Sequence, residues 1–132
     1  MSDTNAADTV QSLLSDIKKW TKSAYARNGE CGVAVNANSL IATCWCLTGA
    51  LYRKHGTENY YVKSVRADEK KVFLAIHKLF PGKVQYPKDI QDKFLSDPDS
   101  YPGAIHGQIM TFNDLSETTF SDILLVIKEA NV

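Results

Sequence analysis

The stretch Thr43–Gly56, TCWCLTGALYRKHG, decides how this chain is read. Two cysteines flank a tryptophan, and the small-residue step Gly49-Ala50 follows. Apolar residues fill nearly every position from Leu40 to Leu51, the pattern of a helix surrounded by others. Asn36 or Asn38 can cap its first turn, and Gly56 is a natural C-terminal stop, so the pattern predicts a buried helix over Ser39–His55. Two positions on a helix turn through about 200°. Cys44 and Cys46 on such a helix point apart and can share neither an ion nor a disulfide. Cysteine behaves as a small hydrophobe when buried, and both thiols read as packing groups.

Upstream, Val10, Leu13, Leu14, Ile17 and Trp20 share one helix face, which predicts a helix from Asp8 to about Tyr25 ended by RNGECG. Met1–Ala6 reads as a frayed end. Downstream, TENYYVKSVR at Thr57–Arg66 favours an extended stretch or short strand. A third helix is expected from the Asp68 cap, with Val72, Phe73, Ile76, Leu79 and Phe80 inward and a stop at Pro81-Gly82. A short helix is expected over Pro87–Leu95, turns over SDPDSYPG, and an extended segment over Ile105–Phe112. The last helix carries a Thr119/Asp122 capping box, with Ser116 or Thr118 as rival caps, and Phe120, Ile123, Leu124 and Ile127 inward. The class is mainly α: a compact helical domain of four to five helices with at most one or two short strands, spanning 1–132 as a single domain.

Composition narrows the function. The 132 residues are 44% hydrophobic and 23% charged, ordinary globular values that exclude disorder. Lysine plus arginine equals aspartate plus glutamate. That balance disfavours nonspecific nucleic-acid binding, although Lys18, Lys19, Lys22, Arg27, Arg53 and Lys54 could gather on one face. No apolar run reaches the roughly 20 residues of a membrane span, and the polar N-terminus lacks the features of a signal peptide. A cytoplasmic location is expected, with Cys31, Cys44 and Cys46 as free thiols.

Candidate sites are few. Structural zinc needs about four convergent ligands, and no such set is spaced for it, so no metal or cofactor is expected. A nucleophilic cysteine needs a lowered thiol pKa and exposure. The combination open to this chain is Cys46 with His106 as base and Asp114 as orienter. His55 and His77 read as exposed. Arg27, just past the first expected helix, either bonds its last carbonyls or offers a fork to an acidic ligand. Asn113 and Asp114 in FND read as turn formers or as a polar pair on the rim of a cleft. No glycine-rich phosphate loop, His-Glu-x-x-His pair or Gly-x-Ser-x-Gly turn occurs.

Trp20, Ala26, Arg27, Gly29, then Trp45, Cys46, Gly49, Ala50 and Leu51, then Asn113 and Asp114 occur in the order seen in a family of small actinobacterial and phage proteins. The chain resembles that family through its Trp-Cys-x-x-Gly-Ala-Leu and Trp/Phe-Asn-Asp segments. The family carries no assigned activity. Its phage members imply an accessory protein that acts on a host or defence component. Two functions are therefore expected to compete. One is a non-enzymatic binding or regulatory module, with a rim of Arg27, His106, Asn113 and Asp114. It would take a protein partner, a second copy through the tyrosine-rich ENYYVK stretch, or a small polar ligand. The other is a small cysteine-dependent enzyme using Cys46, His106 and Asp114.

Overall fold

The computed structural model describes residues 9–29 and 32–132. The expected frayed end at 1–6 and the thiol of Cys31 lie outside the described residues. In chain order come α1 (Val10–Leu13), a 3₁₀ turn (Ile17–Lys19), β1 (Ala26–Arg27), β2 (Ala34–Val35) and β3 (Cys44–Trp45). Then follow α2 (Leu47–His55), α3 (Lys63–Leu79), α4 (Lys88–Ser96), a second 3₁₀ turn (Pro98–Ser100), α5 (Pro102–Asp114) and α6 (Phe120–Ala130). The fold is mainly α: the described residues form six α-helices where four to five were expected, and three short strands where at most one or two were.

The core is one cluster. Leu47, Ala50 and Leu51 of α2 meet Val65, Val72, Phe73 and Ile76 of α3, Ile105, Ile109 and Phe112 of α5, and Ile123, Val126 and Ile127 of α6. α3 packs along both α5 and α6, and α2 closes the group. Each fully buried Leu, Ile or Phe side chain contributes roughly 1.5–3 kcal/mol. The ends of α6 follow the sequence closely. Thr119 accepts from the Asp122 amide and Asp122 from that of Thr119, and Asn131 closes the helix in the left-handed region. Leu124, expected to face inward, is 42% exposed.

Two helices expected at the N-terminal end are not formed as read. α1 is one turn, because Thr9 and Ser12 cap each other across it and Leu14 leaves helical geometry. Asp16 then caps the Lys18 amide and restarts the chain as a 3₁₀ turn. Trp20 is extended and bridges to Trp45, and the chain then bends through Lys22–Tyr25 into β1. The buried helix at Ser39–His55 begins only at Leu47. Cys44 and Trp45 pair instead with Arg27 and Ala26, and the segment before them turns twice, through Ser39 N–H to Asn36 O and Ala42 N–H to Ser39 O. Leu40 is 97% exposed in that turn. The apolar content of Leu40–Trp45 matches a helix as well as a strand, because a short apolar run is ambiguous by periodicity, and cross-strand pairing with β1 prevails.

Elsewhere the outcome is mixed. Thr57–Arg66, expected to be an extended stretch or short strand, forms no strand: it turns at Tyr60-Tyr61 and enters α3 at Lys63. α3 starts at Lys63, earlier than the Asp68 cap, so Asp68 and Glu69 lie inside the helix and are buried. α4 falls within one residue of its expected span. Ile105–Phe112, expected to be extended, lies within α5, which Pro102 opens. Proline suits that first turn because its missing amide proton had no helical partner there. No described helix is long and apolar enough to cross a membrane.

Candidate functional site

Trp20, Gly49, Asn113 and Asp114 converge on one polar knot, where the segment Trp20–Arg27 crosses the start of α2 and the end of α5; Ala50 and Leu51 belong to the apolar core. Asn113, 1% exposed, accepts through Oδ1 from Trp20 Nε1 at 2.8 Å and from the Leu47 amide at 3.1 Å. Its Nδ2 donates to Thr21 O and to Asp114 Oδ1. Asp114 Oδ1 also accepts from the Ser23 amide at 2.9 Å, which holds Ser23 at φ +63, a backbone region uncommon for a residue other than glycine. Lys22 donates to the carbonyls of Leu115 and Thr118. Gly49 permits the crossing itself, since a Cβ there would stand 1.8 Å from Tyr25 O. Asn113 and Asp114 thus close the end of α5 and do not sit in the turn before the last helix.

Arg27 spends its guanidinium on Thr21 Oγ1, Lys22 O and Gly32 O, so it ties the loop. Arg53 donates to Ala37 O and Ser39 O beside the Trp45 ring. Lys54 and His55 both reach Asp68 Oδ2 at 2.7 Å. The cations that were candidates for one basic face are therefore distributed among separate partners. His77, read as exposed, lies 2.7 Å from Gln108 Oε1.

His106 is buried, and Nδ1 faces Glu69 Oε2 at 2.8 Å while Nε2 faces the Tyr25 hydroxyl at 3.2 Å. The Tyr60 ring stacks over the imidazole at 4.2 Å, and the Tyr52 ring lies on the same group at 6.2 Å. Burial pushes the Glu69 carboxyl up, against the lowering by His106. Burial likewise raises the hydroxyls of Tyr25 and Tyr52. The chain Glu69–His106–Tyr25 can share and pass a proton, but its phenols are poor acids and Tyr60 covers its centre. Sequence reasoning missed Glu69, Tyr25, Tyr52 and Tyr60. A signal for Glu69 was present: it falls on the stripe Val65, Val72, Phe73, Ile76, where a carboxylate needs a buried partner.

The Cys46–His106–Asp114 arrangement is not assembled. Cys46 caps α2, its sulfur accepting from the Gly49 amide at 3.2 Å. Burial pushes its thiol up to about 12, the reverse of what a thiolate nucleophile needs. His106 and Asp114 hold the other partners described above. Cys44 points to Arg27 O and Gly29 O, and burial raises its thiol as well. Both sulfurs fill space, as expected, although from a strand and a cap and not from a helix interior. No group of three or more metal-ligating side chains converges among the described residues.

Beside the knot lies an open cleft of about 420 Å³ between β2 and α5, lined by Ser23, Tyr25, Ala34, Val35, Met110 and Asp114. A second hollow of about 540 Å³ continues it along α5 and shares Met110 and Asp114. Of the expected rim residues Arg27, His106, Asn113 and Asp114, Asp114 alone lines this cleft. Val33, next to β2, is 76% exposed.

Neither a curated protein nor a solved structure matches the chain. Residues 1–131 match the profile of a family of unknown function (DUF6197), and the chain belongs to that family.

Proposed function

We propose that the protein is a non-enzymatic binding or regulatory module that takes a protein partner on the face formed by β2 and α5. The observation that carries this reading is the cleft itself. It is open and partly apolar, with Tyr25, Val35 and Met110 in its wall, Val33 just before β2 is exposed, and the polar knot holds Ser23 and Asp114 beside it. The reading is supported by the burial of Cys46, which raises its thiol and counts against the cysteine-dependent alternative. The resemblance to phage proteins fits an accessory role in the cytoplasm against a host or defence component. Self-association is the alternative use of the same face. Light scattering and affinity capture test the proposal. A defined complex, with a partner or with itself, is expected, and Val33→Glu is expected to weaken it without changing thermal stability. A protein that stays monomeric and captures nothing overturns it.

A further inference from the structure

Resting on that reading, we infer that the occupant of the cleft is an extended peptide that adds a strand to the free edge of β2 and carries a cationic side chain to Asp114. The sheet order is β2-β1-β3, so among the described residues β2 has a neighbour on one side only. Its register with β1 pairs Ala26 with Val35 and Arg27 with Ala34, and just beyond, Asn28 N–H donates to Val33 O at 3.0 Å. Antiparallel pairs alternate between bonded and non-bonded positions. Val33 and Val35 therefore turn their backbone groups toward β1, while the N–H and C=O of Ala34 face outward from an exposed residue. A lone edge with unspent donors and acceptors is a template for another extended chain.

The hollows beside that edge specify the rest. Two of them join at Met110 and Asp114, a long trough that suits a strand better than a compact metabolite. Its wall is apolar and soft, with the Tyr25 ring and the Met110 thioether, which adapt to varied side chains. Its one charged wall residue is Asp114, which forms no salt bridge among the described residues. Oδ1 is occupied by the Ser23 amide and by Asn113, and Oδ2 has no hydrogen-bond partner there. A lysine or arginine of the occupant supplies the missing charge, and apolar residues on either side of it cover Tyr25 and Val35.

Selection of random twelve-residue peptides displayed on phage, against the immobilised full chain, tests this. Enriched peptides are expected to carry Lys or Arg among alternating apolar residues and to shift the amide resonances of Ala34, Val35, Met110 and Asp114. They are expected to protect the Ala34 amide from exchange, and to lose about tenfold in affinity with Asp114→Asn, about 1.4 kcal/mol. That variant keeps the Oδ1 acceptor for Ser23 and removes the charge. No enrichment, acidic consensus peptides, shifts confined to another face, or unchanged affinity with Asp114→Asn each overturn the inference. A partner captured through another face, such as exposed Leu124 and Leu125 of α6, leaves a binding role but removes both the β2–α5 face and the peptide trough. A protein that captures nothing by any face removes the binding role as well.

Discussion

The knot around Trp20–Arg27 and the bundle of α2, α3, α5 and α6 are held by different physics. The bundle buries apolar stripes that alternate with solvated faces, and its stability is spread over many similar contacts. The knot has little regular structure and rests on single atoms: one amide side chain with four bonds, one glycine against one carbonyl. Distributed packing degrades gradually when one side chain is changed, whereas a crossing point fails at once. Trp20, Gly49, Asn113 and Asp114, singled out in the sequence, all fall at this crossing.

The sharpest way to break this contrast is Gly49→Ala. Its Cβ would meet the Tyr25 carbonyl at 1.8 Å, and neither backbone can yield without parting α2 from β1. A loss of about 4 kcal/mol or more is expected, read as failure to give a cooperative thermal transition. A modest shift in melting temperature would show that the crossing is looser than described. Asn113→Ala comes next. It orphans the Trp20 indole N–H and the Leu47 amide, each costing about 1–3 kcal/mol when buried, and denaturant unfolding is expected to show the sum of both.

Within the bundle, two adjacent carboxylates in α3 sharpen the comparison because folding shifts their acidities in opposite directions. Burial pushes the Asp68 carboxyl up, but bonds from Lys54 and His55 outweigh it and hold it below the usual range. Its contribution is present above the unfolded value, about 3.9, and is lost as pH falls through the lower folded value. Asp68→Asn is expected to cost about 1–3 kcal/mol at neutral pH and to flatten the acid limb of the stability profile. Glu69 is raised by burial in spite of His106. Its ionisation therefore costs stability as pH rises from its unfolded value through its folded one, and Glu69→Gln is expected to gain on wild type over that window. Urea unfolding between pH 3 and 8 reads both, and parallel profiles for the two variants would contradict the opposed shifts. The smallest effect is Thr119→Ala, which removes one cap from α6 at about 1 kcal/mol and leaves the knot unchanged by near-ultraviolet circular dichroism.

The same contrast governs what the sequence discloses. The stop at Pro81-Gly82, α4 and the Thr119/Asp122 box depend on local chemistry, a proline, a glycine, a cap, and were legible. Leu40–Trp45 was misread because its apolar residues answer to β1 and to solvent, partners that periodicity does not carry. Asn113 was visible as a polar residue near a helix end, yet its role depends on Trp20 and Leu47, which lie far away in sequence. The cleft was equally hidden. Of its lining residues, Asp114 alone stands out in the sequence as a site candidate and Asn36 only as a helix cap, while Ser23, Met110 and the turned-out backbone of Ala34 acquire meaning only once β2 and α5 lie side by side.

α5 belongs to both regions, and this has a consequence for measurement. His106, Met110 and Asp114 stand at successive turns of one rod, and the Tyr25 hydroxyl touches both the imidazole and, at 3.8 Å, the Met110 sulfur. Anything seated on Met110 and Asp114 presses on a strut whose next turn bears a buried ring. The nitrogen-15 resonances of His106 therefore form a native spectroscopic gauge for the cleft, readable without attaching a label to the surface under study.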